Sequence, residues 1–300
     1  MNGIIVIDKP SGFTSHDVVN RVRRILGQRS VGHLGTLDPA ATGVLPVVVG
    51  NLTRLAQFYL HAEKTYEGAI RFGFATDTYD AEGEPSTPTQ EANLNLDEVR
   101  ALAARFHGTI EQMPPPFSAK KIAGVPAYKL ARKKQEVTLK PVQVEIKEFE
   151  ILQTSNAAVS SNHDQATFRA RVASGTYIRS IAHEMGRQLG CGAHLASLRR
   201  TAVAEFTIAD AHSIEALEAA MRQGSAASLF VHPRKLVPQL PSVTANDESA
   251  ALIRSGRSVN LPEMSRAPQI KVFHGQRDLI AIATRIAGTL FHPGIVFAGS

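Results

Sequence analysis

Residues Gly3-Ile4-Ile5-Val6-Ile7 form an apolar run without polar alternation, which predicts a central strand. The period then changes. Val18, Val19, Val22, Ile25 and Leu26 recur at helical spacing, with Ser15 as candidate N-cap and Gly27 as stop, so a helix is expected over 15–26. The segments 47–49, 66–72, 142–151 and 167–172 read as strands. Helical spacing returns at 96–107, where Val99, Leu102, Ala103 and Phe106 share a face. It returns again at 177–189, where Ile178, Ile181, Ala182, Met185 and Leu189 do. Strands broken by helices without regular β-α-β alternation predict an α+β fold with a mixed, mostly antiparallel sheet. Composition shifts near Val231-His232-Pro233 and Leu236-Val237-Pro238. Beyond that point, short strands at 259–261, 270–273 and 279–284 predict a small β-rich C-terminal domain over 236–300, following a larger domain over 1–232.

Composition narrows the class. Three hundred residues with 43% hydrophobic content supply a core for one or two domains. One cysteine excludes a disulfide framework and a Cys-based metal site. No apolar run approaches the ~18–20 residues needed to span a bilayer. The N-terminus lacks a basic n-region, so the cytoplasm is the expected compartment. A formal net charge of +6 favours polyanionic partners.

Residues 117–140 carry Lys120, Lys121, Lys129, Arg132, Lys133, Lys134 and Lys140 against Glu136. Residues 169–200 carry Arg169, Arg171, Arg179, Arg187, Arg199 and Arg200 against Glu184. Either cluster alone reads equally well as solvated surface. With an acidic stretch elsewhere (Asp77, Asp80, Glu82, Glu84), the pair predicts one face turned toward phosphates, binding RNA with strong salt dependence.

The stretch Gly32-His33-Leu34-Gly35-Thr36-Leu37-Asp38-Pro39-Ala40-Ala41-Thr42-Gly43-Val44-Leu45-Pro46 carries the candidate chemistry. It sets one carboxylate, Asp38, on a Gly-rich approach to the strand at 47–49, as a positioned reactive group would be. Most Asp-Pro pairs, by contrast, brace a turn or cap a helix. His183-Glu184-Met185-Gly186-Arg187 begins like a zinc-protease helix, but Arg187 replaces the second histidine. Gly190-Cys191-Gly192-Ala193-His194-Leu195 lacks the third glycine of a dinucleotide fingerprint. A glycoside hydrolase usually needs two carboxylates, and the Asp38 motif offers one.

The Asp38 string resembles the catalytic motif of the TruB family of tRNA pseudouridine synthases, which convert uridine 55 of the tRNA T loop to pseudouridine. Further motifs follow the family's order: Asp8-Lys9-Pro10-Ser11-Gly12-Phe13-Thr14-Ser15, Lys64-Thr65-Tyr66, Ser118-Ala119-Lys120-Lys121-Ile122-Ala123-Gly124, Gly175-Thr176-Tyr177-Ile178-Arg179-Ser180 and the segment from Gly190. The resemblance covers about residues 1–232. It implies the pseudouridine synthase fold, a bent sheet with a central cleft. It implies a basic thumb-like insertion at about 117–140 and, by position, a PUA-like C-terminal domain.

For the site, the resemblance implies Asp38 as the catalytic residue, Tyr66 stacking on the extruded uracil, Tyr177 lining the pocket and Leu198 closing it. It implies that Arg179 pairs with Asp38, and that His33 lies against the RNA and assists base extrusion without transferring a proton. Lys9 and Lys120 are expected to support the catalytic loop and the RNA backbone, although surface lysines are an ordinary alternative. Core packing is the ordinary alternative for Tyr66, Tyr177 and Leu198.

No cofactor and no metal are implied. The expected partner is the T-arm stem-loop of tRNA, with no membrane, guide RNA or obligate protein partner, and a monomer is expected. A rival reading is a non-catalytic RNA-binding or tRNA-folding protein on the same scaffold. Leu34 stands where the family more often has Thr or Ser, and Ala40 where it more often has Leu.

Overall fold

The computed structural model describes residues 1–117, 139–155 and 164–297, with the backbone of two short strands between the first two spans. In chain order the elements are β1 (Gly3–Lys9), α1 (Ser15–Leu26), β2 (Val31–His33), β3 (Thr42–Val49), β4 (Lys64–Phe72), α2 (Leu96–Ala104) and β5 (Gly108–Gln112). The short strands β6 (Lys121–Ile122) and β7 (Val125–Pro126) follow, then β8 (Val142–Ser155), β9 (Gln165–Val172), α3 (Ile178–Gln188) and β10 (Ala193–Val203). Next come β11 (Phe206–Thr207), β12 (Ala211–His212), α4 (Ile214–Arg222), β13 (Ser242–Ala245), α5 (Asp247–Arg254), β14 (Val259–Asn260), β15 (Gln269–His274), β16 (Asp278–Ala287) and β17 (Leu290–Val296). The fold is α+β with a mixed, mostly antiparallel sheet.

The described residues fall into two compact units that are discontinuous in sequence. One comprises residues 1–38, 43–60 and 204–300; the other comprises 39–42 and 61–203. In the first unit β1 pairs antiparallel with β3 and parallel with β12, and β2 lies antiparallel on β3. The apolar face of α1 (Val18, Val19, Val22) and Leu217 of α4 seal this sheet around Ile5, Ile7, Leu45 and Val47. The N-cap of α1 is Thr14, not Ser15: Thr14 accepts from the Asp17 N–H, and Asp17 reaches back to the Thr14 N–H in a capping box. Gly27 ends the helix in the left-handed conformation at φ 61°, which a residue without Cβ adopts at no steric cost.

The same unit holds the C-terminal sheet, in the order β13-β15-β16-β17-β14, with Ala250 and Ile253 of α5 in its core. The segment ahead of it is packed. Leu236 and Val237 are fully buried, and Val237 holds φ at 51°. The Val237 N–H donates to Glu205 Oε1 at 3.0 Å and to Tyr59 Oη at 3.1 Å. Burial and the Glu205 carboxylate push the Tyr59 phenol far above its ordinary range.

In the second unit the strand order is β10-β4-β9-β8-β5, all antiparallel. The aromatic cluster Phe106, Phe149 and Phe168 joins the segment after α2 to this sheet. Helix α2 stops at Ala104, three residues short of the expected end. Arg105 still has helical angles as C-cap, and Gly108 at φ 91° starts β5. Among the described residues no helix is long and apolar enough to cross a membrane.

Candidate active site

In the first unit, Asp38 lies between β2 and β3 on irregular, half-buried backbone, as its glycine-rich approach implied. Its neighbours anchor the loop: Leu34 and Leu37 are buried, and the Leu34 N–H donates to the Pro46 carbonyl at 3.0 Å. Ser15 has the more specific contact. Its buried hydroxyl accepts from the Leu37 N–H at 2.8 Å and donates to the Leu37 carbonyl at 3.1 Å. The first residue of α1 thus grips both backbone groups of the residue before Asp38. This explains why Ser15 is not the cap; its side chain is used elsewhere.

Lys9 is not a surface lysine. It is fully buried at the end of β1, and its ammonium donates to the Pro10 carbonyl at 2.9 Å and the Phe13 carbonyl at 2.6 Å. It braces the turn that delivers Thr14 and Ser15. His33 ends β2, and its Nδ1 accepts from the Gly35 N–H at 3.2 Å, holding the start of the Asp38 loop.

In the second unit, Tyr66 sits on β4, buried and in register with Arg200 of β10 and Ala170 of β9. Leu198 is half-buried opposite Gly68, on the same face and one pair further along. Gly68 is required there, because a Cβ would lie 2.3 Å from the Ser197 carbonyl and 2.9 Å from the Phe168 ring. Tyr177 is the N-cap of α3 but has no capping side-chain bond. Gln112 from β5 does that work, accepting from the Tyr177 N–H at 2.8 Å and donating to its carbonyl at 3.0 Å. Ser180 Oγ donates to the Met113 carbonyl at 2.7 Å, so the first turn of α3 is pinned to the end of β5.

Arg179 is buried in that turn. It pairs with Asp80 at 3.4 Å and donates to the carbonyls of Thr78 at 3.1 Å and Phe117 at 3.0 Å. Asp80 is itself buried, accepting from Thr78 Oγ1 at 2.5 Å and from the Glu82 N–H at 3.1 Å. Asp80 therefore differs from its neighbours in the acidic stretch, because its carboxylate serves a buried arginine. Tyr79, between Thr78 and Asp80, holds φ at 65° and stacks on His183 with ring centroids 3.8 Å apart. Burial lowers the His183 pKa and raises that of the Tyr79 phenol.

The basic cluster at 169–200 is not a free cationic face. Antiparallel pairing sets Glu67 directly opposite Arg169, and the two bond at 3.0 Å. Arg171 meets Glu63 at 3.4 Å and Glu148 at 3.6 Å, and Arg187 meets Glu184 at 2.7 Å. Arg200 is fully buried, and Arg199 donates to Thr42 Oγ1 at 3.3 Å. Counting charges along one segment missed the acids that neighbouring strands supply. Lys120, with Lys129, Arg132, Lys133 and Lys134 of the other basic cluster, lies outside the described residues.

Asp80, Gln112 and Ser15 were not among the sequence-derived site residues. Asp80 carried a faint signal in the string Thr76-Asp77-Thr78-Tyr79-Asp80, where side-chain oxygens sit at turn spacing. Gln112 and Ser15 act through the backbone, so their residue types announced nothing.

Comparison with known proteins points one way. Residues 23–178 match the family model described as TruB family pseudouridylate synthase, N-terminal domain. Residues 179–237 match tRNA pseudouridylate synthase B C-terminal domain. The chain is 45% identical over 299 residues to a protein of Solibacter usitatus named tRNA pseudouridine synthase B, covering 99% of this chain and 100% of that one. An Aquifex aeolicus protein of the same name is 37% identical over 277 residues, covering 92% and 93% respectively. Among solved structures, a chain of a Cbf5-Nop10-Gar1 complex superposes with a TM-score of 0.67 at 26% identity, covering 96% of this chain and 79% of that chain. A chain of an H/ACA RNP bound to a substrate RNA superposes with a TM-score of 0.70 at 24% identity, covering 99% and 85%, and supports the fold.

Proposed function

This chain belongs to the TruB family of pseudouridylate synthases, and from that membership we propose that it converts uridine 55 in the T loop of tRNA to pseudouridine. The reaction breaks the N1–C1′ glycosidic bond, turns the uracil and rejoins it through C5, with the C5 proton released to solvent and a proton returned to N1. No electrons are gained or lost, and the chemistry calls for no redox cofactor. The base must first leave its stack, at a cost of a few kcal/mol. Tyr66 replaces that stacking with its ring and assists removal of the C5 proton. Tyr177 lines the base pocket and Leu198 closes it, while His33 supports extrusion from the RNA side. Arg179, aimed by Asp80, orients the Asp38 carboxylate.

Asp38 then attacks the sugar, attacks the base or removes a sugar proton to give a glycal-type intermediate. Residues 1–232 act as the catalytic domain and 236–300 as a PUA-like RNA-binding domain. The enzyme works alone as a cytoplasmic monomer, without guide RNA. The observation that carries the reading is full-length similarity to proteins named tRNA pseudouridine synthase B in a chain that keeps Asp38, Tyr66, Tyr177 and Arg179. A purely RNA-folding protein on this scaffold would have no use for that set.

The test is tritium release from a tRNA transcript carrying uridine labelled at C5, with the product mapped to the T loop. The wild type is expected to release label. Asp38→Asn is expected to release none while binding tRNA within severalfold of the wild type. Tight binding without release by the wild type would sink the enzymatic reading in favour of RNA folding.

A further inference from the structure

Strand β4 has two faces with opposite charge bookkeeping. On one face several cations meet acids: Arg169 meets Glu67, Arg171 meets Glu63 and Glu148, and Lys147 meets Glu63, while Arg71 lies over the Phe74 ring. Lys64 is on the other face, with Tyr66. Its partners in register are Val203 on β10 and Val172 on β9, both fully buried, so its stem is flanked by hydrocarbon on both sides. Its ammonium donates to the Ala62 carbonyl at 2.7 Å. The charged neighbour is another cation, Arg200, which stands in register with Tyr66. No carboxylate among the described residues pairs with Lys64.

A cation held among valines beside a second cation is disfavoured unless something anionic completes the site. Desolvation and Arg200 accordingly lower the Lys64 pKa to about 8. Such a group, perturbed by burial and a specific charge in a functional region, marks a binding position. Lys64 and Tyr66 are two residues apart on one pleated face, ~6.6 Å along the strand. That offset is of the order of the span from a nucleobase to its own phosphate.

We propose that Lys64 binds the backbone phosphate of the nucleotide whose base stacks on Tyr66. The inference rests on the proposed stacking role of Tyr66 and adds an anion opposite Lys64. Lys64 contributes a charge-assisted hydrogen bond that forms once the nucleotide is extruded, and Arg200 adds to the positive potential behind it. The phosphate fixes the sugar relative to the ring, so extrusion and orientation are coupled through one strand.

The test uses T-arm stem-loop RNA with a neutral methylphosphonate in place of the phosphate 5′ to the target uridine, assayed under single turnover. A charge-assisted hydrogen bond is worth about 1.5–3 kcal/mol, so Lys64→Met should lower kcat/KM on unmodified RNA by about ten- to a hundredfold. The methylphosphonate should cost the wild type a similar factor and cost Lys64→Met nothing further. Lys64→Arg should stay within severalfold of wild type on unmodified RNA and lose its activity advantage on the modified one. Equal losses for Lys64→Met on both RNAs would overturn the proposal, as would wild-type indifference to the methylphosphonate.

Should Lys64→Met fail to fold by circular dichroism, wild type and Lys64→Arg on modified and unmodified RNA still decide it. Their sensitivity must be confined to that one phosphate, and equal sensitivity at the adjacent phosphates overturns the proposal. Tyr66→Leu on unmodified RNA separates the two readings. Full turnover by that variant removes the stacking role, while the Lys64–phosphate coupling is read independently.

Discussion

Ser15→Ala isolates the contact that holds the backbone next to Asp38. The substitution removes one oxygen and leaves the Leu37 N–H and carbonyl without their partner. Leu37 is 3% exposed, so water cannot easily replace it. An orphaned buried donor or acceptor costs ~1–3 kcal/mol, and the two together should cost about 2–4 kcal/mol once some relaxation is allowed. That is a large share of a domain stability of roughly 5–15 kcal/mol, yet the protein should still fold.

The functional effect should exceed the structural one, because displacement of a reacting group by ~1 Å can cost on the order of a hundredfold in rate. Urea denaturation gives the stability change, and single-turnover tritium release on T-arm RNA gives the rate. Asn95→Ala is the matched control. It removes the α2 N-cap bonds to the Asp97 and Glu98 N–H groups, which touch no residue of the Asp38 loop, and should cost ~1 kcal/mol without slowing turnover. Ser15→Thr, which keeps the hydroxyl, should recover most of the rate. If Ser15→Ala loses stability but turns over like Asn95→Ala, Leu37 does not position Asp38 and the argument fails.

Asp80→Asn keeps the shape of the side chain but removes the carboxylate charge that faces buried Arg179. We expect a stability loss of about 2–4 kcal/mol and a fall in kcat with little change in tRNA affinity, and an unchanged kcat would show that Asp80 does not aim Arg179. Lys9→Met should destabilise by about 2 kcal/mol, because the Pro10 and Phe13 carbonyls lose a buried donor, while the salt dependence of tRNA binding stays the same. A flattened salt slope would instead make Lys9 a phosphate contact. The Lys64 pKa, lowered from 10.5 to about 8, means that the folded chain binds fewer protons than the unfolded chain between those values. The penalty that charged Lys64 imposes on folding should thus fade as pH rises through that window, so the stability of wild type relative to Lys64→Met should rise from pH 8 to pH 10. A constant difference in paired urea titrations would show that Lys64 is not desolvated.

The elements read correctly from sequence are those whose burial is uniform along one face. Helix α1 has Val18, Val19 and Val22 on a single stripe, and β1 opens with the unbroken apolar run from Gly3 to Ile7, so hydrophobic pattern alone identified both. Strand β10 went unread although it pairs along the whole of β4. Its sequence Ala-His-Leu-Ala-Ser-Leu-Arg-Arg-Thr-Ala-Val carries a fully buried Arg200, and bulges after Leu195 and after Arg200 break the two-residue period. The site divides the same way. Asp38, Tyr66, Tyr177 and Arg179 stand in strings that resemble a known family, whereas Gln112, Asp80 and Ser15 are defined by what they touch across 65, 99 and 22 residues of chain. Such contacts have no local signature, since a backbone-binding Gln or Ser looks like any other.

Charge shows most clearly why the sheet register matters for function. Along the sequence, Arg171 belongs to a basic cluster read as RNA-facing, whereas Lys64 belongs to no cluster. Register separates them. Arg171 is neutralised by Glu63 and Glu148 on one side of the sheet, while Lys64 projects on the other side beside Tyr66 and between two valines. Salt bridges among exposed groups of the first kind contribute ~0–1 kcal/mol and leave little field for an RNA. A cation kept half-buried without an acid has no carboxylate to displace before it meets an incoming phosphate, in surroundings of lower dielectric where the attraction is stronger. The electrostatics of recognition here depend less on how many lysines and arginines the chain carries than on which of them the strand pairing leaves without an acid.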